Sequence, residues 1–359
     1  MMSLEALAPA GVTALDELDE AWRVRGHGRR LSAVREGARA MRARVEAMPA
    51  VVAVRSLPVT TLVYPTRFAF QGAALSPAPF VPLTHRALVV QFQAAGALKT
   101  LLFNPTDPER ARRAPYFVRL LERFGERMAS FLATRFEPLE VQLARFGIEA
   151  AHIDYVAFDH FHTQDLRGLL GTTDGRLAPR FPNATLLASR VEWDEWDDLH
   201  PMQRAWFVPD GKEGVRDDRV LFTDGDLALG DGVVLLRTPG HTAGNQTLFW
   251  KGSRGVWGCS ENGTSADNWS PRASRIAGLA SAAKLGDLDV LLNANTPEAG
   301  ADQYASMMLE RTLADAVPSA PAFVQMVPSS EETPALIAPG LAPTWLHHQV
   351  EDGKLRPPT

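Results

Sequence analysis

His160 and His162 in FDHFHTQDLRG, together with His241 in TPGHTAGN, are the residues of this chain whose types and spacing can do chemistry. On extended backbone, residues i and i+2 point to the same side, so two imidazoles at that spacing can converge on one ion. His241 follows the apolar run Val233 to Leu236 and a Thr238-Pro239-Gly240 turn, the punctuation of a strand that stops and presents its next residue at a sheet edge. Three neutral imidazoles with an open fourth position form the ligand set of catalytic zinc, which lowers the pKa of bound water to about 7. Hydrolysis at such a site also needs a proton acceptor. Asp165 and Glu261 are the nearest carboxylates in sequence, and each can orient water or serve as general base. If Glu261 binds the metal instead, histidines plus a carboxylate also suit ferrous iron and oxygen chemistry.

The elements around these motifs alternate. VTTLVYP, RALVVQF and LKTLLF are short apolar runs rich in β-branched residues and separated by Pro- or Gly-containing loops, which predicts a first sheet. Glu109 to Arg135 carries helical periodicity, with Phe117, Leu120, Leu121 and Phe124 on one stripe, and Pro138 restarts a helix toward Phe146. Beyond Gly263 the pattern reads as a loop, a helix, a buried strand in DVLLNANT and a final helix over Asp302 to Ala316. Alternation in this order predicts two packed sheets covered outside by helices.

The segment from Phe136 to Gly263 resembles the metallo-β-lactamase-fold hydrolase superfamily. PLEVQLARFGIEAAHIDYVAFDHFH is similar to that family's helix, acidic linker and strand leading into its Thr-His-x-His-x-Asp-His signature. FPNATLLASRVEWDEW resembles the next strand and helix, and DGDLALGDGVVLLRTPGHTAGNQTLFW the strand pair that carries the third histidine. The resemblance implies an α/β fold, a four-layer αββα sandwich with the metal ligands at one edge of the paired sheets. It also implies that His160, His162 and His241 occupy the three-histidine metal site. The family's second site is mostly replaced: its Asp is Gln164, its adjacent His is Asp165, and its last His falls at Asn295. Its bridging Asp falls at Ser260 or Glu261 in GVWGCSENG, and both stay open. One ion per chain, zinc with iron as the alternative, is therefore expected.

Three functions follow as expectations. The first is a hydrolase of a small ester, lactone, thioester or amide; the second is a mononuclear iron oxidoreductase resembling the superfamily's dioxygenases; the third is a metal-free binding protein. Glu261 separates them: as a ligand it favours iron, beside the ligands it favours zinc hydrolysis, and facing solvent it leaves the third open. Gln164, Ser260 and Asn295 are expected next to the metal or the substrate, although turn and loop bonding would also account for such side chains. Asp165 would also serve as the N-cap of a short helix. Cys259 reads as a small buried hydrophobe, and Trp257 and Trp269 as core residues rather than the wall of a pocket.

Composition sets the frame. With 359 residues and 45% hydrophobic content the chain can bury a substantial core. A net charge of −5 points to neither a nucleic-acid nor a membrane partner, and a small molecule is the expected partner. One cysteine excludes an internal disulfide framework, and the opening MMSLEALAPAGVTALDELDEAW lacks a basic start followed by an apolar stretch, so a cytoplasmic location is expected. Three regions are expected: an N-terminal helical extension over 1–50, the αββα domain over 51–318 and a Pro-rich C-terminal tail over 319–359. Arg23 through Glu46 holds eight arginines against two glutamates, with Leu31, Val34, Ala38, Met41 and Val45 at helical spacing. This amphipathic helix is expected to dock on its own acidic domain. The tail is expected to run over the surface, across the site mouth or onto a neighbouring subunit of a homo-oligomer.

Overall fold

A computed structural model describes residues 11–357, the side chains of 128–132 aside. The first ten residues of the N-terminal extension and the last two of the tail therefore lie outside the described residues. The apolar runs form β1 (Thr13–Leu15), β2 (Ala53–Pro65), β3 (Phe80–Ala94), β4 (Ala97–Phe103), β5 (Tyr155–Ala157), β6 (Thr185–Ser189), β7 (Val220–Thr223) and β8 (Asp226–Gly230). They continue as β9 (Val233–Arg237), β10 (Gln246–Gly252), β11 (Gly255–Ser260), β12 (Ala316–Val317), β13 (Ala320–Val324), β14 (Met326–Pro328), β15 (Ser330–Glu332) and β16 (Glu351–Gly353). One sheet runs β16-β2-β3-β4-β5-β6-β7, with β15 added on β3; the other runs β1-β8-β9-β10-β11-β14.

The three runs assigned to a first sheet are indeed neighbours: β2, β3 and β4 pair antiparallel, and β5, β6 and β7 extend the sheet in parallel. Strand alternation makes the layers. In β3, Leu88, Val90 and Phe92 face the core shared with the second sheet, while Ala87 and Val89 face helices outside. In β9, Val233 and Leu235 join that shared core, while Val234 and Leu236 pack under helices on the far side. Both faces of both sheets are thus buried, which is why these strands read as continuous apolar runs rather than alternating ones.

Neither flank is separate from this sandwich. β1 pairs with β8, and Val34, Ala38, Met41 and Val45 of the helix His27–Ala47 are buried against the second sheet and the helix Gly300–Leu313. Arg30, Arg35 and Arg42 on the same helix pair with Asp302, Asp289 and Asp315, so the arginine face docks on the chain's own acidic surface. The tail expectation is corrected. Residues beyond 318 supply β14, parallel to β11, then β15 on β3 and β16 on β2, because their backbone groups find partners in both sheets. DVLLNANT is largely buried but is not a strand: its amides bond outside any sheet ladder, Leu291 to the Asn268 carbonyl, Asn293 to Asn262 and Ala294 to Phe68. No helix among the described residues is long and apolar enough to cross a membrane.

Candidate metal centre

Strand ends collect the site. Asn104 and Thr106 follow β4, Asp159, His160 and His162 follow β5, His241 follows β9, Glu261 follows β11, and Ser329 and Ser330 follow β14. All but Ser330, which opens β15, lie beyond the carboxyl ends of their strands, where side chains leave the ladder, and all but Asn104 line a common cavity. His160 and His162 are not on extended strand as the spacing suggested. β5 stops at Ala157 and the pair sits on the following loop, which turns at Thr163 with φ 61°. Convergence comes from that loop. The His160 and His162 rings lie 4.6 Å apart between centroids, and those of His160 and His241 4.7 Å. One ligand nitrogen from each of the three lies within 4.8 Å of the others. Gly240 permits the third arrival: a Cβ there would lie 2.2 Å from the Gln303 backbone, so only glycine lets this turn press against the helix Gly300–Leu313.

Each ring is oriented by a partner. Asp159 accepts from the His160 amide and meets His160 Nδ1 at 2.7 Å, which leaves Nε2 for a ligand bond. Its other oxygen takes Asn104 Nδ2 at 3.0 Å and the Ser329 hydroxyl. Burial pushes the Asp159 carboxyl up, but His160, Ser329 and Asn104 outweigh it and hold it below its usual value. His162 Nε2 donates to Gln203 Oε1 at 2.6 Å. The amide nitrogen of Gln203 is committed to Glu298 and to the His241 carbonyl, so its oxygen must face His162, leaving His162 Nδ1 as the ligand atom. His241 Nδ1 is buried without a partner. Burial lowers His162 well below an ordinary histidine and His241 to about 3, with the neighbouring imidazoles adding to both. Three imidazoles, two of them fixed by a carboxylate and an amide and one with an orphaned nitrogen, fit a divalent ion such as zinc.

The architecture is an αββα sandwich, two packed sheets with helices on their outer faces, as the resemblance of the segment Phe136–Gly263 implied. No family model matches the chain, and no curated protein does. Solved structures are similar at a distance. A quorum-quenching N-acyl homoserine lactone lactonase shares 20% identity over 67% of this chain and 88% of its own, at a TM-score of 0.45. A probable metal-dependent hydrolase from Staphylococcus aureus shares 14% over 62% and 78%, at 0.47. The hydrolase AbOPH of the beta lactamase superfamily shares 14% over 84% and 94%, at 0.47.

Of the replaced second-site positions, Gln164 and Asn295 line a cavity of about 790 Å³ that has the three histidines on its floor. Gln164 also donates to Thr106 Oγ1 at 2.8 Å and to the His162 carbonyl at 3.2 Å, so it holds the loop as well. Glu261 lines the cavity, accepting from the Ser330 amide at 2.9 Å, and it stands outside the ligand cluster. Burial and the charge of Asp159 raise it well above an ordinary glutamate. Ser260 does not line the cavity: buried, it meets the Asn262 amide at 3.1 Å and the carboxyl of Glu310. Asp165 is the clearest departure from expectation. It is absent from the cavity wall, and its side chain is enclosed by Arg167 at 2.7 Å, Arg113 at 3.1 Å and Arg110 at 3.5 Å. Burial acts against its charge, but the Arg167 bond prevails and lowers it. Such a carboxylate ties loops together and is not free to take a proton from the floor.

Asp159 was missed by sequence reasoning despite a signal: it precedes His160, and a metal-bound histidine commonly takes a carboxylate on its other nitrogen. His85, Gln203, Glu298 and Ser330 carry no such signal. His85 lies on the floor, between Ser330 Oγ at 3.1 Å and Thr106 Oγ1 at 2.9 Å, and burial lowers it to about 4. The stripe Phe117, Leu120, Leu121 and Phe124 faces the cavity together with Leu62, Tyr64, Phe80 and Trp206. Its helix, Pro115–Leu132, is broken at Gly125 (φ 75°). Trp257 and Trp269 are core residues, Trp257 stacked on Trp250 and Trp269 bonded to Glu310. Cys259 is buried between the sheets, and burial raises its thiol.

Proposed function

We propose that this protein is a hydrolase of a small ester, lactone, thioester or amide that carries an apolar arm, using one metal ion held by His160, His162 and His241. The observation that carries the reading is the meeting of these three buried imidazoles with the carboxyl of Glu261 at the floor of one apolar-walled cavity. When bound, the ion would supply polarisation of the scissile carbonyl and a water acidified to near neutrality. The chain's own groups do the rest. Asp159 and Gln203 hold two of the rings in the tautomer that keeps a lone pair for the ion. Glu261 holds or moves a proton at the floor. Burial and the charge of Asp159 raise it, which favours the proton-bearing form of this carboxyl.

Zinc rather than iron is favoured because Glu261 stands beside the ligand cluster, not in it. One ion rather than two is favoured because Asp165 is enclosed by arginines and Gln164 is an amide bonded to Thr106. The cavity wall of Leu62, Phe80, Phe117, Leu120, Leu121 and Phe124 supports an acyl or aromatic arm on the substrate. The test is elemental analysis of protein purified without chelator or histidine tag, followed by assays on aryl esters and lactones. About one zinc per chain, lost in His160→Ala together with hydrolysis, is expected. One iron with oxygen uptake would replace the reading by an oxidoreductase, and a folded protein that takes up no metal would leave a binding protein.

A further inference from the structure

The two segments that carry the ligands come from different sheets, His160 and His162 after β5 and His241 after β9. Something must hold them in register before an ion arrives, since an ion can bind tightly only where its ligands are already near their final places. One side chain reaches both. Glu192 belongs to the helix Arg190–Glu195 that follows β6, and it is buried. Its Oε1 accepts from the amide of Phe161, the residue between His160 and His162, at 2.9 Å, and its Oε2 accepts from the amide of Gly244, three residues after His241, at 3.2 Å. No lysine or arginine pairs with it among the described residues; besides these two amides, the Thr242 hydroxyl of the His241 loop also acts on its carboxyl, favouring the charged form. The approach is close. A Cβ at Gly244 would lie 2.3 Å from the Glu192 amide nitrogen, which is why the His241 loop carries glycine there.

We infer that Glu192 is a positioning residue that clamps the two ligand-bearing loops to each other, setting the spacing of His160, His162 and His241 in the metal-free protein. The inference rests on the reading of those histidines as metal ligands. A carboxylate suits the task because it has an acceptor for each loop and no donor. Glutamine keeps the shape but must turn its NH2 toward one of the two amides, so one loop loses its tether.

The test compares wild type, Glu192→Gln and Met41→Ala, which opens buried space under the N-terminal helix in a core cluster that contains neither ligand loop. Each metal-free protein is titrated with zinc against a chromophoric chelator, and its thermal midpoint is recorded. Zinc affinity at least tenfold weaker in Glu192→Gln and unchanged in Met41→Ala is expected, whatever the two midpoints do. Equal affinity in Glu192→Gln and wild type overturns the inference and leaves the metal-site reading intact, whereas wild type that binds no zinc overturns both. A variant-free measurement covers failure of Glu192→Gln to fold: hydrogen exchange in metal-free wild type. The amides of Phe161 and Gly244 should be protected before any zinc is added, and free exchange at both overturns the clamp.

Discussion

Two carboxyl groups with similar standing in the sequence separate once their surroundings are known. Asp165 faces three guanidiniums and Glu261 faces the cavity floor. Glu261→Gln should therefore lower kcat by about 100-fold or more, the scale of a lost acid–base group, with zinc content unchanged. Asp165→Asn should leave the pH profile of the reaction in place and lower stability by about 1–3 kcal/mol in denaturant titration, a figure reduced because the arginines are partly exposed. His85 makes a sharper test of environment. Its folded value of about 4 lies below the ordinary histidine value of about 6.5. Between these values the unfolded chain takes up a proton that the fold refuses, so the stability tied to this group is present above about pH 6.5 and lost as pH falls toward 4. His85→Gln does not titrate. Its stability relative to wild type should improve by roughly 3 kcal/mol on going from pH 7 to pH 4 in the metal-free proteins. A difference that stays constant over that window would show that the ring is not excluded from water.

The helix Pro115–Leu132 has an apolar stripe that would ordinarily be read as core. Here Phe117, Leu120, Leu121 and Phe124 cover a cavity, and Phe124 remains 42% exposed, the signature of a face reserved for a ligand rather than for another element. The helix breaks at Gly125, directly after this stripe. Leu121→Trp would fill part of the gallery. Its kcat/KM on a decanoyl aryl ester should fall about 10- to 100-fold, while that on the acetyl ester stays within about twofold, since a few methylenes of apolar contact are worth about 1–3 kcal/mol. Equal losses on both esters would mean that the arm lies elsewhere.

The whole molecule is one sandwich to which both flanks contribute. Met41 is fully buried between the N-terminal helix and the second sheet, so Met41→Ala should cost about 2–5 kcal/mol in chemical denaturation. A detachable extension would lose nothing. At the other end, a chain stopped after Val324 lacks β14 and β15 and with them Ser329, which bonds Asp159, and Ser330, which bonds both Glu261 and His85. Such a truncation should yield protein that is insoluble or that binds no zinc, as seen in metal content and circular dichroism. A soluble, zinc-loaded product would restore the picture of a surface tail.

What could be read from the residues alone was local. His160, His162 and His241 declare a ligand set through residue type, and the β-branched runs declare strands because both of their faces must leave water. The arginine-rich helix was legible through its 3.6-residue period, and its docking partner through the acidic balance of the remaining chain. The partners of the ligands were not legible, because Gln203, Glu298, Ser329 and Glu192 lie far along the chain from the atoms they bond, and no spacing rule links residues that meet only when two sheets pack. Asp165 and Glu261 show the same limit from the other side. Each is a carboxyl that the sequence offers as a proton acceptor, and only the tertiary structure, because it depends on which distant side chains pack together, brings arginines to one and an apolar-walled cavity to the other.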